Sequence, residues 1–345
     1  MEVFRLEFDK KDATYYPGDT VTGKIIIENK KTIKARSLQI MIDGEAETDL
    51  YRHEETNAPY RRLHHYDRHY HTCITYLDTR KTIWKSDTGQ LISGIHSFPF
   101  SFDLPLNCAP SFKAIIGTIK YRIRVRLDAG AKNARMFKER FTVVERLDPY
   151  PMAYSNNIVK KVSTQRCEDG FEYVNATVRL PKTGYAPLET IPITVDLDNQ
   201  STRKITGIQV QLIQKRVYKA LNRLHYSNDR TNYNERKITS IWSENWNDLN
   251  IPPNNSDDTT IKLRIPKYVP LLKQCEIISI SYFVNVKVIV SPELRITFDI
   301  PLFIGSGSDD GVGVPVAPPG PRVMAVQTKN NRNNAAKIEH MSEKK

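Results

Sequence analysis

The chain repeats itself, and that limits its possible folds more than any other feature. Pro17-Gly-Asp-Thr-Val-Thr-Gly-Lys-Ile-Ile-Ile-Glu-Asn29 runs beside Pro187-Leu-Glu-Thr-Ile-Pro-Ile-Thr-Val-Asp-Leu-Asp-Asn199, at an offset of 187 − 17 = 170. At that offset residues 17–42 align with 187–212 without a gap, and Pro17, Thr20, Asn29, Thr32, Lys34 and Gln39 meet identical residues. Asp19/Glu189, Val21/Ile191, Leu38/Ile208 and Ile42/Leu212 are conservative pairs. Further on, Phe102-Asp-Leu-Pro105 matches Leu263-Arg-Ile-Pro266, and Ile119-Lys-Tyr121 matches Ile280-Ser-Tyr282, both at 263 − 102 = 161. The drop in offset, 170 − 161 = 9, is a difference in loop length between two copies of one structural unit. A length of 345 residues suits two such units at about 150 residues each.

Within each unit the apolar residues alternate. In Ile119-Lys-Tyr-Arg-Ile-Arg-Val-Arg-Leu127 the apolar side chains fall on one face of a strand and the cations on the other. Similar runs cover Gly23–Glu28, Leu38–Ile42, Phe98–Leu104, Ile191–Leu197, Ile208–Ile213, Ile261–Ile265, Ile278–Ile289 and Leu294–Ile300. Turn residues such as Pro17-Gly18-Asp19, Asp43-Gly44 and Pro252-Pro253-Asn254-Asn255 separate them. No long segment has a 3.6-residue period, and Lys132–Phe141 reads either as a short helix or as a strand with its turn. The expected fold class is all-β, two tandem antiparallel sandwiches. Their expected bounds are 1–148 and 158–304, with a connector at 149–157 where Pro149 and Pro151 interrupt the strand pattern. Residues 305–345, Gly/Ser-rich and then Pro-rich, are expected to form a disordered tail.

Composition excludes several classes. Apolar residues make up 39% of the chain, enough for a core. No stretch approaches the roughly 18 apolar residues of a membrane-spanning helix. The N-terminal residues lack the basic-then-apolar build of a signal peptide. Cys73, Cys108, Cys167 and Cys275 are widely spaced with no C-x-x-C, which suggests neither a zinc site nor a disulfide framework. The chain is therefore expected to be cytosolic, with the sequons at Asn175, Asn199 and Asn254 unused. The net charge of +12 is spread along the chain rather than gathered into an arm. That argues against a nucleic-acid partner and leaves anionic membranes and phosphorylated proteins open.

At this point the residues resemble a family. Phe4-x-Leu6-x-Phe8 followed by Tyr16-Pro-Gly-Asp-Thr-Val-x-Gly23 is similar to the opening of alpha-arrestins, the arrestin domain-containing proteins. Lys182-Thr-Gly-Tyr-Ala-Pro-Leu-Glu-Thr-Ile191, Asn199-Gln-Ser201 and Ile208-Gln-Val-Gln-Leu-Ile-Gln214 resemble that family's C-terminal domain. The resemblance covers Met1 to Ile304 and implies two arrestin-like, immunoglobulin-like sandwiches. It also implies a non-enzymatic cytoplasmic adaptor recruited to the plasma membrane or endosomes. Such a protein links membrane-protein cargo tails, phosphorylated ones included, to endocytic sorting or ubiquitination machinery. The alternative is a structural arrestin-fold subunit of a retromer-like or coat-like complex. One departure stands out. Pro252-Pro-Asn-Asn255 and Pro318-Pro-Gly-Pro321 lack the tyrosine of the P-P-x-Y motif, so direct docking of a ligase WW domain is not expected.

The sharpest local feature is the basic row Lys120, Arg122, Arg124 and Arg126. Cations on alternate positions of one strand stand about 6.5 Å apart and repel unless something supplies anions. The row is then either an anion-binding face for phosphorylated or acidic tails or lipid headgroups, or a solvated face paired with acids on a neighbouring strand. His53 and His64-His-Tyr-Asp-Arg-His-Tyr-His71 form the densest titratable cluster, in what reads as a long hairpin or edge segment. His69 and His71 share a face and would need a third ligand to hold a metal. Cys73 near His71 lacks an orienting third group. Tyr268-Val-Pro-Leu271 matches a tyrosine sorting signal by chance, and Pro315–Pro321 reads as a spacer. No phosphate loop, G-x-S-x-G or H-E-x-x-H occurs, so no enzyme, cofactor or metal is expected.

Overall fold

The computed structural model describes residues 3–56, 64–130, 134–146, 159–166, 173–221, 233–272, 274–290 and 294–305. The expected connector at 149–157 and the expected tail beyond Gly305 lie outside them. In the first half the strands are β1 (Val3–Phe8), β2 (Thr14–Tyr15), β3 (Thr20–Asn29), β4 (Ile33–Lys34), β5 (Ser37–Thr56), β6 (His64–Lys85), β7 (Gln90–Leu91), β8 (Gly94–Asp103), β9 (Phe112–Lys113), β10 (Gly117–Asp128) and β11 (Arg135–Val143). In the second half they are β12 (Val159–Arg166), β13 (Tyr173–Leu180), β14 (Gly184–Tyr185), β15 (Thr190–Gln200), β16 (Ile205–Leu221), β17 (Tyr233–Ile251), β18 (Asn255–Arg264), β19 (Ile278–Ile289) and β20 (Arg295–Ile304). The described part of the ambiguous segment Lys132–Phe141 is strand, within β11.

Each half is a sandwich of two sheets. The first packs β1-β3-β8 on β2-β11-β10-β5-β6; the second packs β12-β13-β15-β18 on β14-β20-β19-β16-β17. The strand orders superpose element for element. β1-β3-β8 corresponds to β13-β15-β18, and β2-β11-β10-β5-β6 corresponds to β14-β20-β19-β16-β17. Alternation decides what each strand buries. Ile119, Tyr121, Ile123, Val125 and Leu127 of β10 are at most 2% exposed, and each apolar side chain so placed contributes about 1.5–3 kcal/mol.

The duplicated residues do the same work twice. Asn29, the last residue of β3, and Asn199, the next to last of β15, are both buried. Asn29 Nδ2 donates to the carbonyls of Lys31 and Ile92 at 2.9 and 2.8 Å. Asn199 Nδ2 donates to those of Arg203, Ile251 and Pro252 at 2.8, 3.2 and 3.1 Å. Asp19 accepts from Tyr16 N at 3.1 Å and Glu189 from Ala186 N at 2.9 Å, closing the same turn. Lys10 stands 4.8 Å over the Tyr15 ring and Lys182 stands 4.8 Å over the Tyr185 ring. Tyr121 Oη donates to Ala109 O at 2.6 Å and Tyr282 Oη to Pro270 O at 2.7 Å, both at the offset of 161.

The two sandwiches share a seam. Tyr218 and Ala220 at the end of β16, with Ile277 and Ile278 at the start of β19, are buried in the core of the first sandwich. Thr48 Oγ1 donates to Lys219 O at 2.7 Å, Leu221 N to Thr72 Oγ1 at 2.8 Å, and Tyr76 Oη to Gln274 O at 3.2 Å. Burial at this seam raises the Tyr76 and Tyr218 hydroxyls above the ordinary phenol range. The second domain is therefore docked by apolar burial and backbone hydrogen bonds together.

A candidate anion-binding face on the first sandwich

β10 lies between β5 and β11, with its basic row on the outer face. Antiparallel pairing sets Lys120 opposite Glu45 and Arg122 opposite Asp43. β5 carries acids at the same two-residue spacing, Asp43, Glu45 and Glu47. Lys120 Nζ reaches Glu47 at 2.7 Å. Arg122 bridges Asp43 and, at 2.6 Å, Glu45. Arg124 Nε meets the second oxygen of Asp43 at 2.9 Å. Three cations therefore face three carboxylates, and Asp43 is only 7% exposed. Partial burial makes these pairs stronger than surface ones, because water and salt screen them less.

Arg126 lies beyond the acidic row and is exposed. Across the β10–β11 pairing, Arg122 faces Arg140, Arg124 faces Lys138 and Arg126 faces Met136. Lys138, Arg140 and Met136 are also exposed. Arg126, Lys138 and Arg140 make no ion pair among the described residues. The unbalanced positive charge thus sits at the β11 side of the face. Beside it, β2 pairs only Thr142 and Val143 of β11, leaving Arg135–Phe141 as an open strand edge among the described residues.

The sequence alone placed four cations on one face. It left open a pairing with acids on a neighbouring strand but did not name them, although Asp43-x-Glu45-x-Glu47 carries the signal. It also missed Lys138 and Arg140, whose strand was ambiguous with a helix.

Removing the shared carboxylate tests this arrangement. Asp43→Ala leaves Arg122 and Arg124 half-buried and short of an acceptor. It is expected to destabilise the first sandwich by about 2 kcal/mol, whereas Arg126→Ala should leave stability within about 0.5 kcal/mol of wild type. Thermal unfolding of both variants checks the contrast.

Of the other sequence candidates, the described histidines and Cys73 sit elsewhere on the same sheet. His69 stacks on Tyr51 at 4.6 Å and contacts Asp49, and its ring centre is 6.3 Å from that of His71. The side chains of His53, His64 and His65 lie outside those described. Glu45, Glu47 and Cys73 bring three potential donors within 4.8 Å of one another. Both carboxylates already hold Arg122 and Lys120, so a metal there would have to displace two cations. The neighbouring Glu45 and Glu47 charges add to burial in raising the Cys73 thiol. In Tyr268-Val-Pro-Leu271, Val269 and Leu271 pack into the second core and Pro270 O accepts Tyr282, so the segment is held in the fold rather than offered as a free peptide.

Comparison with known proteins agrees with this architecture. The profile of the arrestin (or S-antigen) N-terminal domain matches residues 4–149, and that of the C-terminal domain matches 172–307. Arrestin domain-containing protein 17 of Caenorhabditis elegans is 24% identical over 313 residues, 89% of this chain and 71% of the relative. Human arrestin domain-containing protein 4 is 24% identical over 320 residues, 88% of this chain and 71% of the relative. Human thioredoxin-interacting protein is 24% identical over 310 residues, 88% of this chain and 74% of the relative. With both domain profiles matched in order, on two sandwiches of the same strand order, this chain belongs to the arrestin family, in its arrestin domain-containing, or alpha-arrestin, branch.

Proposed function

We propose that the protein is a non-enzymatic trafficking adaptor that links membrane-protein cargo to endocytic sorting or ubiquitination machinery. It works in the cytoplasm and is recruited to the plasma membrane or endosomes. The observation that carries this reading is the cationic end of the outer face, Arg126, Lys138 and Arg140, without ion pairs and beside an open strand edge among the described residues. Acidic or phosphorylated cargo tails are extended chains rich in anions. Arg126 and Arg140 offer the planar fork that takes two oxygens of a phosphate or carboxylate, and Lys138 adds a point charge between them. Lys120, Arg122 and Arg124 hold the face in register through their β5 acids. No P-P-x-Y motif occurs, so a ligase would join through another surface or another protein.

Proximity labelling of the tagged protein in its native cell, followed by capture, tests the reading. Membrane proteins and sorting components are expected among the captured material. The triple reversal Arg126→Glu, Lys138→Glu, Arg140→Glu should reduce membrane-protein capture at least tenfold while leaving the unfolding midpoint near wild type. Capture with no membrane protein at all sinks the adaptor reading. Unchanged capture by the triple variant sinks the assignment of the face. A stable stoichiometric complex on size exclusion would favour a structural coat subunit instead.

A further inference from the structure

At the β7–β8 turn, one end of the first sandwich puts apolar and cationic side chains into solvent together. Ile92 is 68% exposed and Ile95 is 74% exposed. The turn stands clear of the fold: beyond the chain neighbours, a Cβ added at Gly89 or Gly94 would meet nothing within 4 Å. It is nonetheless held in place. Asn29 Nδ2 donates to Lys31 O at 2.9 Å and to Ile92 O at 2.8 Å, so one buried amide ties the β3–β4 loop to this turn. β4 pairs Ile33 with Leu91 and Lys34 with Gln90. Lys30 and Lys31 in that loop and Lys34 in β4 are exposed. Arg36 and Lys85 are exposed at the same end, where Ser86 N donates to Arg36 O at 2.9 Å. The acids there are Glu28, opposite Ile95, Asp87 in the turn after β6, and Asp128, whose carbonyl accepts from Arg36 N at 2.7 Å.

The fold itself does not ask for these isoleucines and lysines. The second sandwich closes its matching loops with the same clasp, Asn199 Nδ2 donating to Arg203 O and Pro252 O. There Gln200 and Ser201 stand where the first copy has Lys30 and Lys31. Pro252 takes the place of Ile92 in the clasp, and Ser256 lies opposite Asp198 as Ile95 lies opposite Glu28. A single exposed isoleucine is ordinary on a protein surface. Two in the one turn Ile92-Ser-Gly-Ile95, flanked by lysines, have the make-up of an element that sits at a membrane interface. The two side chains stand out from the turn rather than lining a groove, which suits a soft lipid surface better than a folded partner. A bilayer with anionic lipid meets both halves of the patch, since apolar side chains enter the acyl boundary while ammonium groups stay among the headgroups.

We propose that this end of the first sandwich docks on an anionic lipid bilayer, with Ile92 and Ile95 inserted between headgroups and Lys30, Lys31 and Lys34 against lipid phosphates. The contact is with lipid alone and stands apart from the cargo reading of Arg126, Lys138 and Arg140.

The probe is the full chain floated with protein-free vesicles, so the outcome is independent of cargo capture. Wild type is expected to float with phosphatidylcholine vesicles that hold about one-third phosphatidylserine, at about 0.1 M salt, and not with phosphatidylcholine alone. Ile92→Ser with Ile95→Ser should weaken the binding about tenfold or more and keep the wild-type unfolding midpoint, because the second copy carries proline and serine at these places. Lys30→Glu, Lys31→Glu, Lys34→Glu together should weaken it at least about a hundredfold, at about fivefold per lysine removed and more for each acid added. The control is Lys262→Glu, Arg264→Glu, Lys267→Glu, which makes the same change in net charge at exposed positions of the second sandwich and should cost less than about tenfold. No flotation of wild type with the phosphatidylserine vesicles, or equal flotation with phosphatidylcholine alone, overturns the proposal. So does a control reversal as damaging as the Lys30, Lys31, Lys34 reversal, which would put the binding down to net charge. Unchanged binding by the Ile92→Ser, Ile95→Ser variant overturns the insertion of the turn. A wild-type chain that ignores the vesicles but holds a protein that the isoleucine variant loses assigns this end to a protein partner and overturns the lipid assignment.

Discussion

Asn199→Ala is expected to lower the stability of the second sandwich by about 3 kcal/mol, among the larger effects a single polar substitution has. Asn199 is 0% exposed. Its Nδ2 serves three backbone carbonyls, those of Arg203, Ile251 and Pro252. Its Oδ1 takes the hydroxyl of Ser201 at 2.6 Å and the amide of Ser201 at 3.3 Å. Alanine strands these groups away from water, and the cost of a buried unpaired carbonyl exceeds the net value of the bond it lost. The repeat supplies an internal control. Asn29 sits at the matching position, but its Oδ1 is buried without a partner, so Asn29→Ala should cost less, about 2 kcal/mol. Asn199→Asp should do at least as much harm as alanine, since it places a carboxylate among carbonyl oxygens. Chemical unfolding followed by Trp fluorescence, with the three tryptophans at Trp84, Trp242 and Trp246, compares the variants. If Asn199→Ala unfolds within about 1 kcal/mol of wild type, the asparagine is not the clasp described here.

The sandwiches were legible in the sequence because the residues that repeat are the ones that close turns and strand ends. Pro17 to Asn29 and Pro187 to Asn199 share a turn whose second residue takes a positive φ, +84° at Gly18 and +69° at Leu188. Glycine adopts that conformation freely, whereas leucine does so under strain, so the backbone demand was visible in one copy and hidden in the other. β6 and β17 were not read as strands over their full lengths. Each is the outer strand of its sheet, and charged side chains interrupt the alternation of apolar residues. These outer strands also carry bulges, with Tyr76 the extra residue in β6 and Trp242 in β17, that shift their alternating period by one residue. β16 itself runs straight, and Val210, Leu212, Gln214, Arg216 and Tyr218 form one continuous inward row. The basic row was visible because alternation is local. Its acids were not, because matching Asp43 to Arg122 and Arg124 requires the β5–β10 register, a long-range fact.

Gly117→Val is expected to undock the two sandwiches while leaving the first one folded. Gly117 opens β10, in a conformation any residue can adopt, and valine is favoured in strands. The first sheet alone therefore gives no reason for glycine there. The reason lies across the seam. A Cβ at position 117 would stand 2.8 Å from two ring carbons of Tyr218 and 3.0 Å from the terminal carbon of Ile278. Tyr218 cannot turn aside. It is 0% exposed, it packs 6.5 Å from the Phe112 ring, and its strand is held by Thr48 and Thr72 through the backbone at Lys219 and Leu221. Overpacking a fixed interface costs about 1–3 kcal/mol for each group that must move, and two are displaced here. Alanine should weaken the docking and valine should break it. The expected signature is separate unfolding of the two sandwiches and a larger radius of gyration in solution scattering. Thr48→Val, which removes one hydrogen bond across the seam and adds no atom at the clash, should shift the midpoint slightly and leave the radius unchanged. A Gly117→Val protein with the wild-type radius and a single wild-type transition would show that the seam does not hold the domains in place. In the proposed adaptor, the angle between the sheet that carries Arg126, Lys138 and Arg140 and the second sandwich would set what can be bound at once. The undocked variant is therefore also expected to lose membrane-protein capture with Arg126, Lys138 and Arg140 intact, which separates the role of geometry from that of charge.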